Sequence, residues 1–157
     1  MTKMVCVVEK QLKRPLLCEY TNVRECNSGF PMVIKNSTTT LDGKPFPTTY
    51  WLTCPALRKE ISRLEAAGGL QDMEVFLKFN EQARTDLLTR EESLRKTRAL
   101  PPNHLTGLGI TGNKEPLTLK CLHAHAADFL AGELNPVGRQ ALGPILWPKN
   151  CHLCETL

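Results

Sequence analysis

The residues of this chain most able to do chemistry are its seven cysteines, at positions 6, 18, 26, 54, 121, 151 and 154. A thiolate binds zinc or an iron–sulfur cluster, and it is also a nucleophile. The number is odd and the spacing wide, which does not favour a framework of disulfides. Cys6 and Cys18 stand in apolar runs, so we expect both to pack in the core as small hydrophobic residues.

The C-terminal segment Cys151-His152-Leu153-Cys154 has the spacing of half a zinc site. A redox-active pair with this spacing needs a following helix that lowers the thiol pKa, and only Glu155, Thr156 and Leu157 come after it. The chain has no second pair of this kind. A complete metal site must therefore recruit ligands from elsewhere in the sequence.

Cys54 stands at a predicted junction between a strand and a helix, in Thr53-Cys54-Pro55. Proline suits the first turn of a helix, and the positive end of the helix dipole stabilises a thiolate placed there. A Cys-Pro pair also recurs at iron–sulfur ligands. The alternative is a half-buried cysteine without a chemical role.

Cys121, His123 and His125 fall in a helix predicted over residues 117–131. Four helical residues advance by about 400°, so Cys121 and His125 would share a face and could bind one ion. His123 would point about 200° away from Cys121. Either histidine could equally be a structural group.

The surrounding elements are predicted from local patterns. Strands are expected over residues 4–8, 16–21, 31–35 and 48–53, and a loop over 36–47. A first helix is expected from Pro55 to a stop at Gly68-Gly69. A second is expected over 70–100, with a break near Asn80 or Thr89, and a third over 117–131. Strands followed by helices predict an α+β fold: a small N-terminal antiparallel sheet, three to four helices and an irregular cysteine-containing tail. We expect a single domain, 1–157, with 1–54 mainly strands and loops, 55–132 mainly helical and 133–157 irregular.

Composition and charge exclude several classes of protein. The chain is 41% hydrophobic and 23% charged, which is typical of a globular domain rather than a disordered one. No apolar run approaches the ~20 residues of a membrane-spanning helix, and the N-terminus does not resemble a signal peptide, so we expect a cytoplasmic protein. The net charge of +4 is scattered, which supports nucleic-acid binding only weakly. The GxGxxG pattern over residues 107–112 has prolines before it and Pro116 after it, so we expect a loop there rather than a dinucleotide site.

Several sequence blocks resemble an uncharacterised bacterial family, domain of unknown function number 501. The blocks are Cys26-Asn-Ser-Gly-Phe-Pro31, Asp42-Gly-Lys-Pro-Phe-Pro-Thr-Thr-Tyr-Trp-Leu-Thr-Cys-Pro55, Ser62-Arg-Leu-Glu-Ala-Ala-Gly68, Lys120-Cys-Leu-His-Ala124, Leu130-Ala-Gly132 and Asn135-Pro-Val-Gly138. The resemblance spans about residues 11 to 154. It implies no established activity, but it implies that Cys26, Cys54, Cys121 and the pair Cys151 and Cys154 belong to the shared pattern. Many relatives have leucine where His125 stands, which favours His123 over His125 as a functional residue.

Three hypotheses follow. In the first, the protein binds an iron–sulfur cluster or zinc through Cys26, Cys54, Cys121, Cys151 and Cys154, with His123 or His125 as possible additional ligands. In the second, it is a thiol enzyme with Cys54 as nucleophile and His123 as base, aided by Lys120 or Arg63 as an anion-binding group. In the third, it is a regulatory module that binds RNA or a protein partner.

Overall fold

The computed structural model describes residues 2–98, 108–146 and 151–157. Within these ranges the fold is α+β, as predicted, with a three-stranded antiparallel sheet near the N-terminus and α-helices after it. The elements are α1 (Thr2–Leu12), β1 (Cys18–Glu25), β2 (Pro31–Thr40), β3 (Tyr50–Leu52), α2 (Pro55–Ala66), α3 (Gly69–Phe79), α4 (Glu81–Arg98), α5 (Leu122–Leu130), α6 (Pro136–Leu142) and a 3₁₀ helix, Leu153–Thr156.

Strand β2 lies in the middle of the sheet, between β1 and β3. Its residues Val33 and Ile34 are fully buried, and Val33 pairs with Leu52 of β3. The chain leaves β3 still bonded to β2, because the N–H groups of Thr53 and Cys54 both donate to the carbonyl of Met32. This pairing places Cys54 at the edge of the sheet where β2 begins.

The helical signals after Cys54 are confirmed. Helix α2 begins at Pro55, and the chain turns at Gly68 with a φ of 92°, a left-handed conformation that glycine adopts without strain. A break at Asn80 separates α3 from α4, and the Asn80 side chain accepts a bond from the N–H of Ala83. These boundaries were predictable because proline, glycine and asparagine act over only a few residues.

The strand predicted over residues 4–8 is wrong, since this segment lies in helix α1. Val8, Gln11 and Leu12 follow the three- and four-residue spacing of a helix and are buried. Val8 and Leu12 pack with Ile34 of the sheet, and the Gln11 amide donates to the carbonyl of Pro31. Tertiary packing has here overridden the β-propensity of the valines.

The region after residue 108 differs from prediction in two places. Helix α5 begins only at Leu122, since Leu117 has a φ of 63° and the backbone of Cys121 is extended. Residues 136–142 were predicted to be irregular and instead form α6, so five α-helices follow the sheet within the described ranges. Asn135 caps this helix by accepting from the N–H of Gly138, and Pro136 occupies its first turn.

The main core lies between the sheet and the helices. Its fully buried members come from β2, α2, α4, α5 and α6, namely Val33, Ile61, Leu87, Leu122, Ala126, Ala127, Val137 and Ala141. Of the GxGxxG pattern, Gly107 is outside the described residues. Residues 108–113 form a turn around Asn113, and the chain from 108 to 121 contains no helix, as expected for a loop. Across the described ranges, no helix combines the length and apolar character needed to cross a bilayer.

Candidate functional site

Four of the five predicted metal-binding cysteines line one cavity of about 200 Å³. We call it the cysteine cavity, and its thiols belong to Cys26, Cys54, Cys151 and Cys154. All four residues are partly buried. The chain segments that carry them are far apart in sequence, so folding alone brings them together.

The sheet brings Cys26 and Cys54 to the same edge, where β2 begins. Cys26 follows β1 and begins the turn to β2, where its N–H donates to the carbonyl of Phe30 and its carbonyl accepts from Gly29. Cys54 follows β3 and is held against Met32. Because β2 pairs with both β1 and β3, the ends of those two strands meet at the start of β2.

The C-terminal segment supplies the other two thiols. The Ser28 hydroxyl donates to the carbonyl of Cys151 at 3.2 Å, and the Gln11 amide lies 3.3 Å from Sγ of Cys154. The Lys10 ammonium donates to the carbonyl of Leu157 at 3.1 Å. The tail therefore docks against α1 and the β1–β2 turn.

Two thiols of this cavity, those of Cys54 and Cys154, have a pKa above the ordinary value. Burial raises the pKa of Cys54, and the nearby thiols of Cys154 and Cys151 raise it further, although the N–H groups of Leu57 and Ala56 at the start of α2 oppose this. Burial also raises the pKa of Cys154, against the hydrogen bond from Gln11. A metal ion would reverse this balance, because it stabilises thiolates directly.

The sulfurs surround the cavity without closing on one another. Among the described residues, no three of these four sulfurs all lie within 4.8 Å of each other. With Zn–S bonds of about 2.3 Å, the sulfurs of one tetrahedral zinc lie about 3.8 Å apart. An iron–sulfur cluster holds its thiolates farther apart, since each binds a different iron.

Cys121 lies elsewhere, in a compact group with His123 and Glu65. Sγ of Cys121 is 3.7 Å from Nδ1 of His123, and that nitrogen is 2.8 Å from Oε1 of Glu65. The same carboxylate oxygen accepts from the N–H of Leu122 at 3.1 Å. This Cys–His–Glu group is the one cluster of three metal-capable donors within 4.8 Å of one another in the described chain.

The late start of α5 creates this group. In a helix, Cys121 and His123 would point in different directions, as the sequence predicted. The extended backbone of Cys121, with φ −156° and ψ 122°, instead turns its side chain towards His123. The expectation that these two residues could not share a face is therefore wrong. Glu65 comes from α2, and only its position within the Ser62–Gly68 block could have singled it out in advance.

The two ionisable partners of the group shift each other's pKa. The hydrogen bond with Cys121 raises the pKa of His123, against the effect of burial. Burial opposes ionisation of Cys121, but the bond with His123 and the N–H of Ala124 outweigh it, so the pKa of Cys121 is lowered. The pKa of the Cys121 thiol is thus lowered, whereas that of the Cys54 thiol is raised.

A second cavity, of about 420 Å³, opens beside this group. We call it the basic cavity, because Arg14, Arg58 and Lys120 line it and no aspartate or glutamate is among its described lining residues. Cys121 and His123 form part of its wall. Arg63, the other predicted anion-binding group, pairs with Glu60 instead.

The remaining candidates are placed apart from the cysteine cavity. His125 is fully buried and its Nδ1 contacts Asn135 rather than a thiol. Cys54 and His123 line different cavities. The thiol that lies beside His123 is that of Cys121. Cys18 is buried, as predicted, while the side chain of Cys6 is outside the described part of the chain.

The sequence profile of one family, described as "Protein of unknown function (DUF501)", matches residues 22–143. The match covers most of the chain, and the protein belongs to this family, as the sequence blocks predicted. It includes Cys26, Cys54 and the whole Cys–His–Glu group, but it ends before Cys151. No curated protein matches the chain, and neither does any solved structure.

Proposed function

We propose that this protein binds a metal centre, an iron–sulfur cluster or zinc, through Cys26, Cys54, Cys151 and Cys154. The observation that supports this most directly is the convergence of four thiols from distant segments on one cavity. Cys121, which was grouped with them from the sequence, lines the other cavity and is left out of the proposed ligand set.

The electrostatics of the cavity favour a cation. Burial raises the pKa of Cys54 and of Cys154, and the nearby sulfurs of Cys154 and Cys151 raise that of Cys54 further. A bound metal supplies the missing positive charge and releases the thiol protons. The Cys-Pro pair at residue 54 is typical of cluster ligands, whereas the spacing of Cys151 and Cys154 is typical of zinc.

The proposed centre joins the C-terminal segment to the sheet. Two ligands lie in the tail, and the other two follow β1 and β3. The hydrogen bonds from Gln11 and Ser28 hold the tail in the same place. A metal bound there contributes its binding free energy to the docking of the tail.

Metal analysis of the full chain purified without oxygen tests the proposal. We expect near-stoichiometric zinc, or iron with acid-labile sulfide, and absorbance at about 400 nm marks a cluster. Cys54→Ser and Cys151→Ser should each reduce the metal content about tenfold. Cys18→Ala is the matched control, since Cys18 is a buried thiol that does not line the cavity.

The absence of both iron and zinc from the anaerobic protein would contradict the proposal. Equal metal loss in Cys18→Ala and Cys54→Ser would also contradict it, because the loss would then not depend on the cavity. The RNA- or protein-binding hypothesis stays a prediction, which the salt dependence of binding to a generic RNA would test.

A further inference from the structure

We propose that Cys121 is a nucleophilic thiolate with His123 as its proton acceptor, and that the basic cavity binds the substrate, a small organic anion with an electrophilic carbon. The site differs from the metal centre proposed above, since it uses another cavity and other residues. Either proposal can therefore fail without the other.

The hydrogen bonds of His123 argue for a doubly protonated ring. Its Nε2 lies 3.2 Å from the carbonyl oxygen of Arg58, which can only accept, and 3.1 Å from the Ser62 hydroxyl. Nε2 therefore carries a hydrogen. Its Nδ1 faces a carboxylate oxygen of Glu65 at 2.8 Å, another acceptor. If Nδ1 carried no hydrogen, its lone pair would face a lone pair of the Glu65 carboxylate. Nδ1 is therefore protonated as well.

The thiol of Cys121 is the nearest source of that second proton. Sγ lies 3.7 Å from Nδ1, and transfer of the proton leaves a thiolate beside an imidazolium. Glu65 stabilises the imidazolium, and the first turn of α5 stabilises the thiolate. The Glu65 carboxylate also lies 4.0 Å from Sγ and opposes the thiolate charge, but the bond with His123 and the N–H of Ala124 outweigh this, so the pKa of Cys121 is lowered. Such a pair is the arrangement that activates cysteine nucleophiles.

The cavity beside the thiolate is suited to an anion. Arg14, Arg58 and Lys120 line it, with no carboxylate among the described lining residues to neutralise them. The Arg14 guanidinium lies 4.1 Å from the centre of the Trp51 ring, and Arg58 is anchored by a bond to the carbonyl of Gln11. Tyr50 and Trp51 add apolar wall. A volume of about 420 Å³ is within the range of small-molecule sites.

The covalent step needs no further reagent. Sγ of Cys121 forms a bond to the electrophilic carbon with its own electron pair. The bond from that carbon to the leaving group breaks, and the leaving group departs with that bond's electrons. Nδ1 of His123 then returns its proton to the leaving group.

Alkylation with two reagents of different charge tests the proposal on the full chain. Iodoacetate is an anion and iodoacetamide is neutral, and with both the S–C bond forms as the C–I bond breaks and iodide leaves. Peptide mass spectrometry gives the rate at Cys121, with glutathione as the reference thiol. At pH 7 we expect Cys121 to react faster than glutathione with iodoacetamide. We also expect its ratio of iodoacetate to iodoacetamide rates to exceed that of glutathione about tenfold.

Two lysine variants separate the cavity from general surface charge. Lys120→Gln should lower the iodoacetate rate several-fold and leave the iodoacetamide rate unchanged. Lys114→Gln is the matched control, since Lys114 is also exposed but does not line the cavity, and both rates should stay at the wild-type value. If the ratio of iodoacetate to iodoacetamide rates at Cys121 equalled that of glutathione, the proposed anion site would be contradicted.

The role of His123 is read from two titrations. In His123→Gln, the midpoint of the pH profile of iodoacetamide labelling at Cys121 should rise towards that of glutathione. By NMR, the ring of His123 should titrate above its ordinary pKa in the wild type and at a lower pH in Glu65→Gln, because the carboxylate stabilises the imidazolium. If iodoacetamide labelled Cys121 of the wild type no faster than it labels glutathione, the proposal would be overturned. So would the loss of one bound metal per chain in Cys121→Ser, since the group would then be a metal site.

Discussion

The two histidines of α5 are two residues apart, yet their surroundings give them opposite acid–base properties. The pKa of His123 is raised by its thiol partner, whereas burial lowers the pKa of His125 to about 4. Nδ1 of His125 accepts from Asn135, and Nε2 is buried with no hydrogen-bond partner among the described residues. His125 is therefore a neutral core residue at pH 7, and its helical spacing from Cys121 reflects packing rather than chemistry.

The burial of His125 predicts acid sensitivity. Between about pH 6.5 and about pH 4, the unfolded chain binds a proton that the native His125 does not. The free energy of unfolding therefore falls as the pH falls through this range, by about 3 kcal/mol in total. Urea unfolding at several pH values measures it, and His125→Gln should flatten the pH dependence relative to the wild type.

His152→Gln is the matched control for this prediction. The side chain of His152 is 69% exposed, and its Nδ1 lies 2.9 Å from Oε1 of Glu155. Its loss should leave the pH dependence of unfolding close to that of the wild type. If the His125 and His152 variants gave the same pH dependence, the buried histidine would not be the cause.

Helices α5 and α6 cross at Gly138. Among the described glycines, this is the one at which an added Cβ would approach a neighbouring atom most closely. A Cβ added at Gly138 would lie 2.1 Å from the carbonyl oxygen of His125 and 2.8 Å from Cβ of Phe129. The neighbouring Asn135 bridges both helices, accepting from the N–H of Gly138 and donating to Asp128. The Asn135–Gly138 block is therefore explained by local packing.

Gly138→Ala should force the two helices apart. Because the first obstacle is backbone rather than a flexible side chain, we expect a loss of about 3 kcal/mol in the free energy of unfolding. Gly143→Ala, at the end of the same helix, is the control, since an added Cβ there stays at least 3.4 Å from its neighbours. Denaturant unfolding compares the two. A loss at Gly138 no larger than that at Gly143 would be inconsistent with the close crossing.

At the scale of the whole molecule, the C-terminal segment holds together parts of the chain that are distant in sequence. It contacts α1 through Gln11 and the β1–β2 turn through Ser28, and its two cysteines face the start of α2. Most of residues 151–157 are exposed. The proposed metal would therefore decide whether this segment stays docked.

Removal of the metal should release the tail. With the metal bound, we expect a serine carboxypeptidase, which needs no metal, to shorten the full chain slowly. With a chelator present, the same enzyme should remove the tail at least about tenfold faster. Cys154→Ser should be cleaved rapidly even without chelator, while Cys18→Ala should behave as the wild type. Mass spectrometry of the truncated products follows the reaction. Cleavage that is insensitive to chelator would show that the metal does not hold this segment.

Patterns of a few residues were enough to identify the family, the α+β class and the boundaries at Pro55 and Gly68, and they placed the helix break near Asn80 or Thr89. The sequence also identified the cysteines as candidate site residues, but it did not predict which of them lie close together in the fold. The folded chain places Cys121 beside His123 and Glu65, whereas Cys26, Cys54, Cys151 and Cys154 line a different cavity. These neighbours lie up to 128 residues apart, so strand pairing and helix packing bring them together, and local spacing does not predict their contacts.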